Sequence, residues 1–369
     1  MRRFLLCCGA LLLLQGCLPS REALWVLKDV AAGEQPSTLK ARTPTPTRTL
    51  VRYAIAGRRH EGDLYLSDGE PRAGIVLVPG AAREGKDDAR LVAFANTLAR
   101  ARFAVLVPEI QSLRALKIRP GNIQDVTDAF AYLVSCPELA PGGKAGIGAF
   151  SYAVGPALLA ALSPAIRHQV RFVLGVGGYY DATRVVTYFT TGFFRDEKGA
   201  WRHQRPNPYG TWVFVLSNVD LLADPGDREA LSAMAARRLA DPTAPIEDLA
   251  RHLKPEGRAL YDLLVNADPE RVPGLLARLP KPIRDDMAAL DLSKQDLCAL
   301  EARVNLLHGK SDAVIPYTES LALAAALPPG RVRVTVVGDL GHVELKGLGL
   351  LDAWQLWLAV DALLAERQP

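Results

Sequence analysis

Cysteine is scarce in this chain and badly placed for a metal. Five occur in 369 residues, and Cys7, Cys8 and Cys17 fall within the first seventeen positions. Only Cys136 and Cys298 remain in the body. With no Cys-x-x-Cys pair and no His/Cys cluster, the pattern of a zinc site is missing, and neither a metal nor any other cofactor is expected. The two body cysteines could pair in an oxidising compartment, although a sequence gives no distance between them. An excess of one charge is also missing. Lys and Arg total 44 against 40 Asp and Glu. Arg2 and Arg3 supply half of that excess, leaving 44 − 2 = 42 beyond them. No basic run and no basic stripe interleaved with aromatics occurs, which excludes the usual footprint of a nucleic-acid partner. There is no internal repeat, so a solenoid or propeller is excluded too.

The N-terminus lacks an apolar run long enough to span a bilayer, which needs roughly 20 residues. Phe4–Leu14 is a shorter apolar core, preceded by Arg2 and Arg3 and closed by Gln15-Gly16-Cys17. That layout is a cleavable signal over 1–17. Its close resembles a bacterial lipobox, with Leu14, a small Gly16 and then the cysteine to be lipidated. Gln15 departs from the pattern, which usually has a small or β-branched residue there. The expectation is lipidation of Cys17, anchoring an exported protein in the bacterial cell envelope at the periplasmic or outer-membrane face. Ordinary secretory cleavage and a retained N-terminal anchor are the alternatives.

What is present is apolar and periodic. Hydrophobic residues make up 49% of the chain, enough for a large core. Residues 18–48 read as a tether, because Thr43-Pro44-Thr45-Pro46-Thr47 cannot hold a helix. Leu50–Ala56 and Gly62–Leu66 are expected as short strands around a polar turn at Arg58–His60. Strand and helix then alternate: Ala73–Val78, Asp88–Ala101, Phe103–Val107, Asn122–Leu133, Lys144–Phe150, Tyr152–Leu162 and Arg171–Val176. Continuous apolar strands separated by helical stripes imply an α/β fold with a mostly parallel central sheet and helices on both faces. The rhythm breaks over 182–300, first aromatic and then a series of Pro-punctuated short helices. It resumes with Arg303–Leu307, Thr318–Leu327, Val332–Val337 and a closing helix around Leu350–Leu364. The break is too long for a loop. The core is therefore expected over 49–181 and 301–369, carrying a mainly helical lid insertion at 182–300.

Ser151 stands where strand Lys144–Phe150 meets helix Tyr152–Leu162. A sharp turn there projects a hydroxyl into a cleft beside a helix N-terminus, whose N–H groups stabilise negative charge. The usual pattern is Gly-x-Ser-x-Gly. Here it is Ala149-Phe150-Ser151-Tyr152-Ala153, flanked by Gly148 and Gly155, and on the motif alone a helix cap competes evenly with a nucleophile. Two later segments favour the nucleophile. His308-Gly309-Lys310-Ser311-Asp312 ends one strand and Gly338-Asp339-Leu340-Gly341-His342 ends the next. An acid and a base thus follow Ser151 in the order a triad needs, on the edge of the sheet where ligands bind.

These residues resemble the α/β-hydrolase superfamily, chiefly its dienelactone-hydrolase and prolyl-oligopeptidase-like branches, over about 50–181 and 301–366. The resemblance implies Ser151 as nucleophile, His342 as general base and Asp312 as orienting acid. It implies an oxyanion hole from the amides of Tyr152 and Ala81, the latter in the loop Gly80-Ala81-Ala82. Asp181 and Asp339 compete as the acid. His308 reads as a structural hydrogen-bonding residue, Asp87 and Asp88 as a helix start, and the insertion's aromatics as core or pocket wall. The expected partner is a small ester or amide substrate. The leading function is a serine hydrolase acting through an acyl-enzyme on carboxylic esters. The alternatives are a serine peptidase, and a non-catalytic surface lipoprotein on the same scaffold.

Overall fold

The computed structural model describes residues 20–338 and 349–367. The expected signal segment with Cys17 lies outside them, as do Asp339 and His342. In chain order the strands are β1 (Thr47–Ile55), β2 (Arg58–Leu66), β3 (Ala73–Val78), β4 (Phe103–Pro108), β5 (Ala145–Phe150), β6 (Val170–Val176), β7 (Phe193–Arg195), β8 (Trp201–His203), β9 (Arg303–Gly309) and β10 (Val332–Val337). Eight of them form one sheet in the order β1-β2-β4-β3-β5-β6-β9-β10, and β7-β8 form a small hairpin. β1-β2 and β2-β4 pair antiparallel, and every later pair in the large sheet is parallel. The mostly parallel sheet read from the alternation of apolar strands and helical stripes is therefore present.

The helices are α1 (Arg21–Ala32), α2 (Thr38–Arg42), α3 (Ala89–Arg100), α4 (Gln111–Arg114), α5 (Gly121–Ser135), α6 (Val154–Leu162), α7 (Ala182–Thr191), α8 (Pro208–Asn218), α9 (Pro225–Ala240), α10 (Pro255–Leu264), α11 (Val272–Ala277), α12 (Lys281–Leu290), α13 (Thr318–Ala326) and α14 (Leu350–Ala365). Along a strand successive side chains alternate between faces, and β3 shows the consequence. Ile75 and Leu77 belong to the core shared with α1, α3 and α14, while Val76 and Val78 belong to the core shared with α5, α6 and α13. All six residues of β3 and of β4 are buried, which is why these strands are apolar without interruption.

Between β6 and β9 the insertion has a core of its own. Val186 and Phe189 of α7, Trp212 and Val215 of α8, Met234 of α9 and Leu263 of α10 form it, joined by Val314 and Ile315 from the β9–α13 loop. Its aromatic opening holds the β7–β8 hairpin, a strand pair that the Pro-rich helical reading of this region did not anticipate.

The N-terminal stretch corrects the sequence reading. Residues 18–48 are not a tether over most of their length. Ser20 caps α1 by accepting from the Ala23 amide, and Ala23, Val26 and Leu39 are buried against the core. Asp29, 1% exposed, accepts from Lys40 Nζ at 2.7 Å and Thr97 Oγ1 at 2.6 Å, and also from Ser37 Oγ. One carboxylate thereby ties α1 and α2 to α3. The Thr/Pro run that prompted the tether reading occupies only the short passage from α2 into β1. The first hairpin turn also moves, from Arg58–His60 to Ala56-Gly57. Both have positive φ, 49° and 80°, and Ile55 pairs with Arg58. This is a two-residue hairpin loop whose twist matches the strands. Cys136 and Cys298 do not pair; both are free thiols.

Candidate active site

Ser151 has φ 55°. A side chain in the left-handed region is strained, typically by about 1–3 kcal/mol, and persists only where the surroundings over-determine it. β5 ends at Phe150, Ser151–Ala153 form a single tight turn, and α6 begins at Val154. The expected helix Tyr152–Leu162 thus starts two residues later than its apolar pattern suggested. Ala149 and Ala153 are buried, and the closest approaches fall just outside the five-residue motif. A Cβ on Gly155 would lie 2.2 Å from Tyr179 Oη, and one on Gly148 would lie 2.9 Å from Leu77 Cδ1. A Cβ on Gly178 would lie 2.5 Å from Val154 Cγ1. Steric relief that the motif places two residues either side of the serine is supplied here by the flanking glycines.

The loop after β3 leans on this turn. A Cβ added to Gly80 would sit 3.6 Å from the Phe150 carbonyl oxygen and 3.9 Å from Ser151 Cβ. Ala81 and Ala82, next along the loop, line the same cavity as Ser151. The segment nominated for the second oxyanion donor is therefore beside the nominated nucleophile.

Asp312, 4% exposed, lies on the β9–α13 loop. Its Oδ1 accepts from the Val314 and Ile315 amides at 2.7 and 3.1 Å, so it does close the following turn. Its Oδ2 faces the end of β6, where a Cβ on Gly177 would come within 3.3 Å. The competitor Asp181 is spent differently. It caps α7 through the Thr183 and Arg184 amides at 2.8 and 3.1 Å, and its Oδ2 lies 3.7 Å from Arg184 Nε. Its side chain also keeps 26% exposure. Between the two, the carboxylate buried behind the elbow is Asp312. Asp339 and His342 fall in the part of the chain without description.

No family model matches the chain, and no curated protein matches it in sequence. Structure is more informative. A candidate hydrolase from Legionella pneumophila superposes with a TM-score of 0.57 at 12% identity, over 91% of this chain and 93% of its own. The rice cell wall degrading esterase LipA from Xanthomonas oryzae gives 0.51 at 12% identity, over 92% of each chain. The chain has the α/β-hydrolase fold. It spans only 41% of a Pyrococcus horikoshii acylaminoacyl peptidase, with a TM-score of 0.48 at 11% identity.

Within this hydrolase fold His308 is structural, as expected. It is fully buried. Its Nε2 lies 2.9 Å from the Ile315 carbonyl oxygen and must donate to it; its Nδ1 then accepts from Ser320 Oγ at 2.7 Å. Both ring nitrogens are occupied, with Nε2 also 3.3 Å from Asp312 Oδ2. Asp88 caps α3 through the Arg90 amide. Asp87 instead ends a short turn and pairs with Arg114 at 2.7 Å. Glu109 pairs with the same guanidinium at 2.7 Å.

Sequence reasoning missed the way the insertion grips the site. Asn207 caps α8 through the Tyr209 amide at 2.9 Å, and its own amide donates to the Ala313 carbonyl at 2.7 Å. Gln204 Nε2 reaches the Ser311 and Asp312 carbonyls at 3.2 and 3.3 Å. Tyr209 Oη donates to the Ala81 carbonyl at 2.9 Å. Three residues of the insertion, Gln204, Asn207 and Tyr209, thus hold both the Asp312 loop and the Ala81 loop. The only local signal was Asn207-Pro208, a helix start.

Ser151 opens onto a cavity of about 740 Å³, within the size range of small-molecule sites. Much of its lining is apolar, including Leu91, Phe94 and Leu98 from α3, Leu307 from β9, and Val360 and Leu363 from α14. The insertion contributes Asn207 and Tyr209 to the lining. Phe189, Trp212 and Phe214 are elsewhere, in the insertion's own core, and Phe193, Phe194 and Trp201 lie in the β7–β8 hairpin. Among the described residues no group of three or more His, Cys, Asp and Glu could hold a metal ion.

Proposed function

We propose that this protein is a serine hydrolase that cleaves carboxylic esters with an apolar acyl part through an acyl-enzyme. The observation that carries the reading is Ser151 itself, strained at φ 55° on the strand-to-helix turn, against the Gly80 loop and lining a mostly apolar cavity. A helix-capping serine has no need of that conformation, since caps take extended backbone angles.

On this reading Ser151 Oγ attacks the ester carbonyl while His342 takes its proton. Asp312 orients His342 and stabilises the imidazolium that forms. The carbonyl oxygen, now anionic, is held by the amides of Tyr152 and Ala81, each contributing a few kcal/mol in the transition state. Collapse breaks the bond to the alcohol, which leaves with the proton from His342. Water, deprotonated by His342, then attacks the acyl-enzyme; the acid departs and Ser151 regains its proton. The acyl part lies along Phe94, Leu307 and Val360 throughout.

The decisive experiment is labelling with a fluorophosphonate, which reacts only with an activated serine. The wild-type protein should label and turn over p-nitrophenyl esters, and Ser151→Ala should do neither. A folded wild-type protein that fails to label would sink the proposal and leave the non-catalytic scaffold standing. Turnover of aminoacyl amides in preference to esters would replace the esterase reading with a peptidase.

A further inference from the structure

Helix α14 is apolar on two opposite faces, and only one is covered. At 3.6 residues per turn, Leu356, Val360 and Leu363 share one side, where they line the cavity. Leu350, Trp354 and Leu358 share the other, with Leu351 beside them. These four are 95%, 37%, 36% and 69% exposed, respectively. Scattered exposed leucines need no explanation, but a contiguous apolar stripe does. Among the described residues the remaining large exposed apolar side chains, Leu50 and Val265, lie on other elements.

The chain's entry point is fastened to this same helix. The Ser20 amide donates to Asp361 Oδ1 at 2.8 Å, and Trp357 Nε1 donates to the Ser20 carbonyl at 2.9 Å. α1 then runs along α14, and Arg367 just beyond α14 holds Glu22 at 2.6 Å. On the helical wheel Trp357 flanks the Leu350-Trp354-Leu358 stripe, and Asp361 lies in line with it two turns beyond Trp354, where the stripe ends. Cys17 is three residues before Ser20, so its Cα can be no farther than about 11 Å away, even with the chain fully extended.

We propose that the Leu350-Trp354-Leu358 face of α14 lies on the lipid surface to which the N-terminus is attached. A lipid on Cys17, or a retained Phe4–Leu14 segment, brings a bilayer within reach of this stripe and of no other exposed apolar stripe among the described residues. Tryptophan and leucine are the side chains expected at a membrane interface. The contact is apolar rather than electrostatic. α14 has no Lys or Arg, and its two carboxylates are already held, Asp352 by the Gly338 amide at 3.1 Å and Asp361 by Ser20. Because the other side of α14 lines the cavity, the same contact sets that cavity one helix away from lipid. The proposal rests on the N-terminal anchor and is independent of the Ser151 chemistry.

The test uses the full-length protein, processed in a bacterial host and reconstituted into vesicles of phosphatidylethanolamine and phosphatidylglycerol. Part of its tryptophan emission should be quenched by brominated phospholipid. Trp354→Phe should abolish most of that quenching, and Trp201→Phe, in the insertion, should leave it unchanged. High salt should not reverse it. Leu358→Glu, which leaves every tryptophan in place, should give the same loss with unaltered circular dichroism. Failure of the protein to associate with vesicles overturns the proposal, as does quenching that survives both α14 variants. A concentration-dependent dimer, abolished by Leu358→Glu in a protein showing no quenching, would assign the face to a second copy instead.

Discussion

The hydroxyl of Tyr209 donates to the carbonyl of Ala81 at 2.9 Å, joining helix α8 of the insertion to the loop proposed to bind the oxyanion. Removing that one bond tests whether the insertion organises the chemistry. Tyr209→Phe keeps the ring and frees the loop. A net hydrogen bond is worth about 1 kcal/mol, and slack in a catalytic donor costs more than its own bond. The expected result is a fall in kcat of roughly tenfold with KM little changed and an unaltered melting profile. Equal kcat in the two proteins would leave the bond without a catalytic role.

The two candidate acids separate cleanly by substitution. Asp312→Asn retains the shape of the turn that Oδ1 closes but removes the charge behind the elbow. It should lower kcat by about 10³–10⁴, the size of effect seen when a triad acid is neutralised. Asp181→Asn should keep most activity. Asp181→Ala should cost stability, about 1 kcal/mol for a lost helix cap, read as a shift of the urea midpoint. Reversed outcomes would make Asp181 the acid.

The crowding at the elbow predicts where small residues are obligatory. Gly155→Ala would place a methyl 2.2 Å from Tyr179 Oη, and Tyr179 cannot easily retreat because its hydroxyl donates to the Leu290 carbonyl at 2.8 Å. Destabilisation of about 1–3 kcal/mol is expected, measured by urea unfolding. Ala153→Gly tests the other side of the argument. With the flanking glycines already giving room, it should change specific activity less than about threefold, since no contact is relieved.

How much of this was legible follows the physics of each signal. The parallel core could be read because β3 and β4 are buried on both faces and their helices carry one apolar stripe each. Order along the chain put Ser151, Asp312 and His342 in sequence, and burial now distinguishes Asp312 from Asp181, which their similar turn chemistry could not. The N-terminal error has a local cause. Pro44 and Pro46 rule out helix only around themselves, whereas α1 is tied down by Asp29 meeting Lys40 and Thr97, the latter 68 residues away. The grip of Gln204, Asn207 and Tyr209 was invisible for the same reason. It is made of backbone carbonyls at Ala81, Ser311 and Ala313, and a carbonyl leaves no mark in the identity of its residue.

Glu319 supplies a pH dependence with a definite sign. It is 1% exposed and accepts from the Tyr180 and Asp181 amides at 3.0 and 2.8 Å. Burial pushes its carboxyl up from 4.5 to about 7, against the pull of those two amides and of Arg184, 3.9 Å away. In the unfolded chain the carboxyl loses its proton near 4.5, whereas in the folded chain it keeps it until about 7. Between those values the native state therefore binds more protons, and stability must fall as pH rises. The contribution is fully present below 4.5 and gone above 7, and its full size is on the order of 3 kcal/mol. Glu319→Gln has no proton to lose and still offers an oxygen to the amides. Its urea midpoint should be close to wild type at pH 4.5 and higher than wild type at pH 8. The difference should develop between those limits, and parallel midpoint curves for the two proteins would refute the assignment.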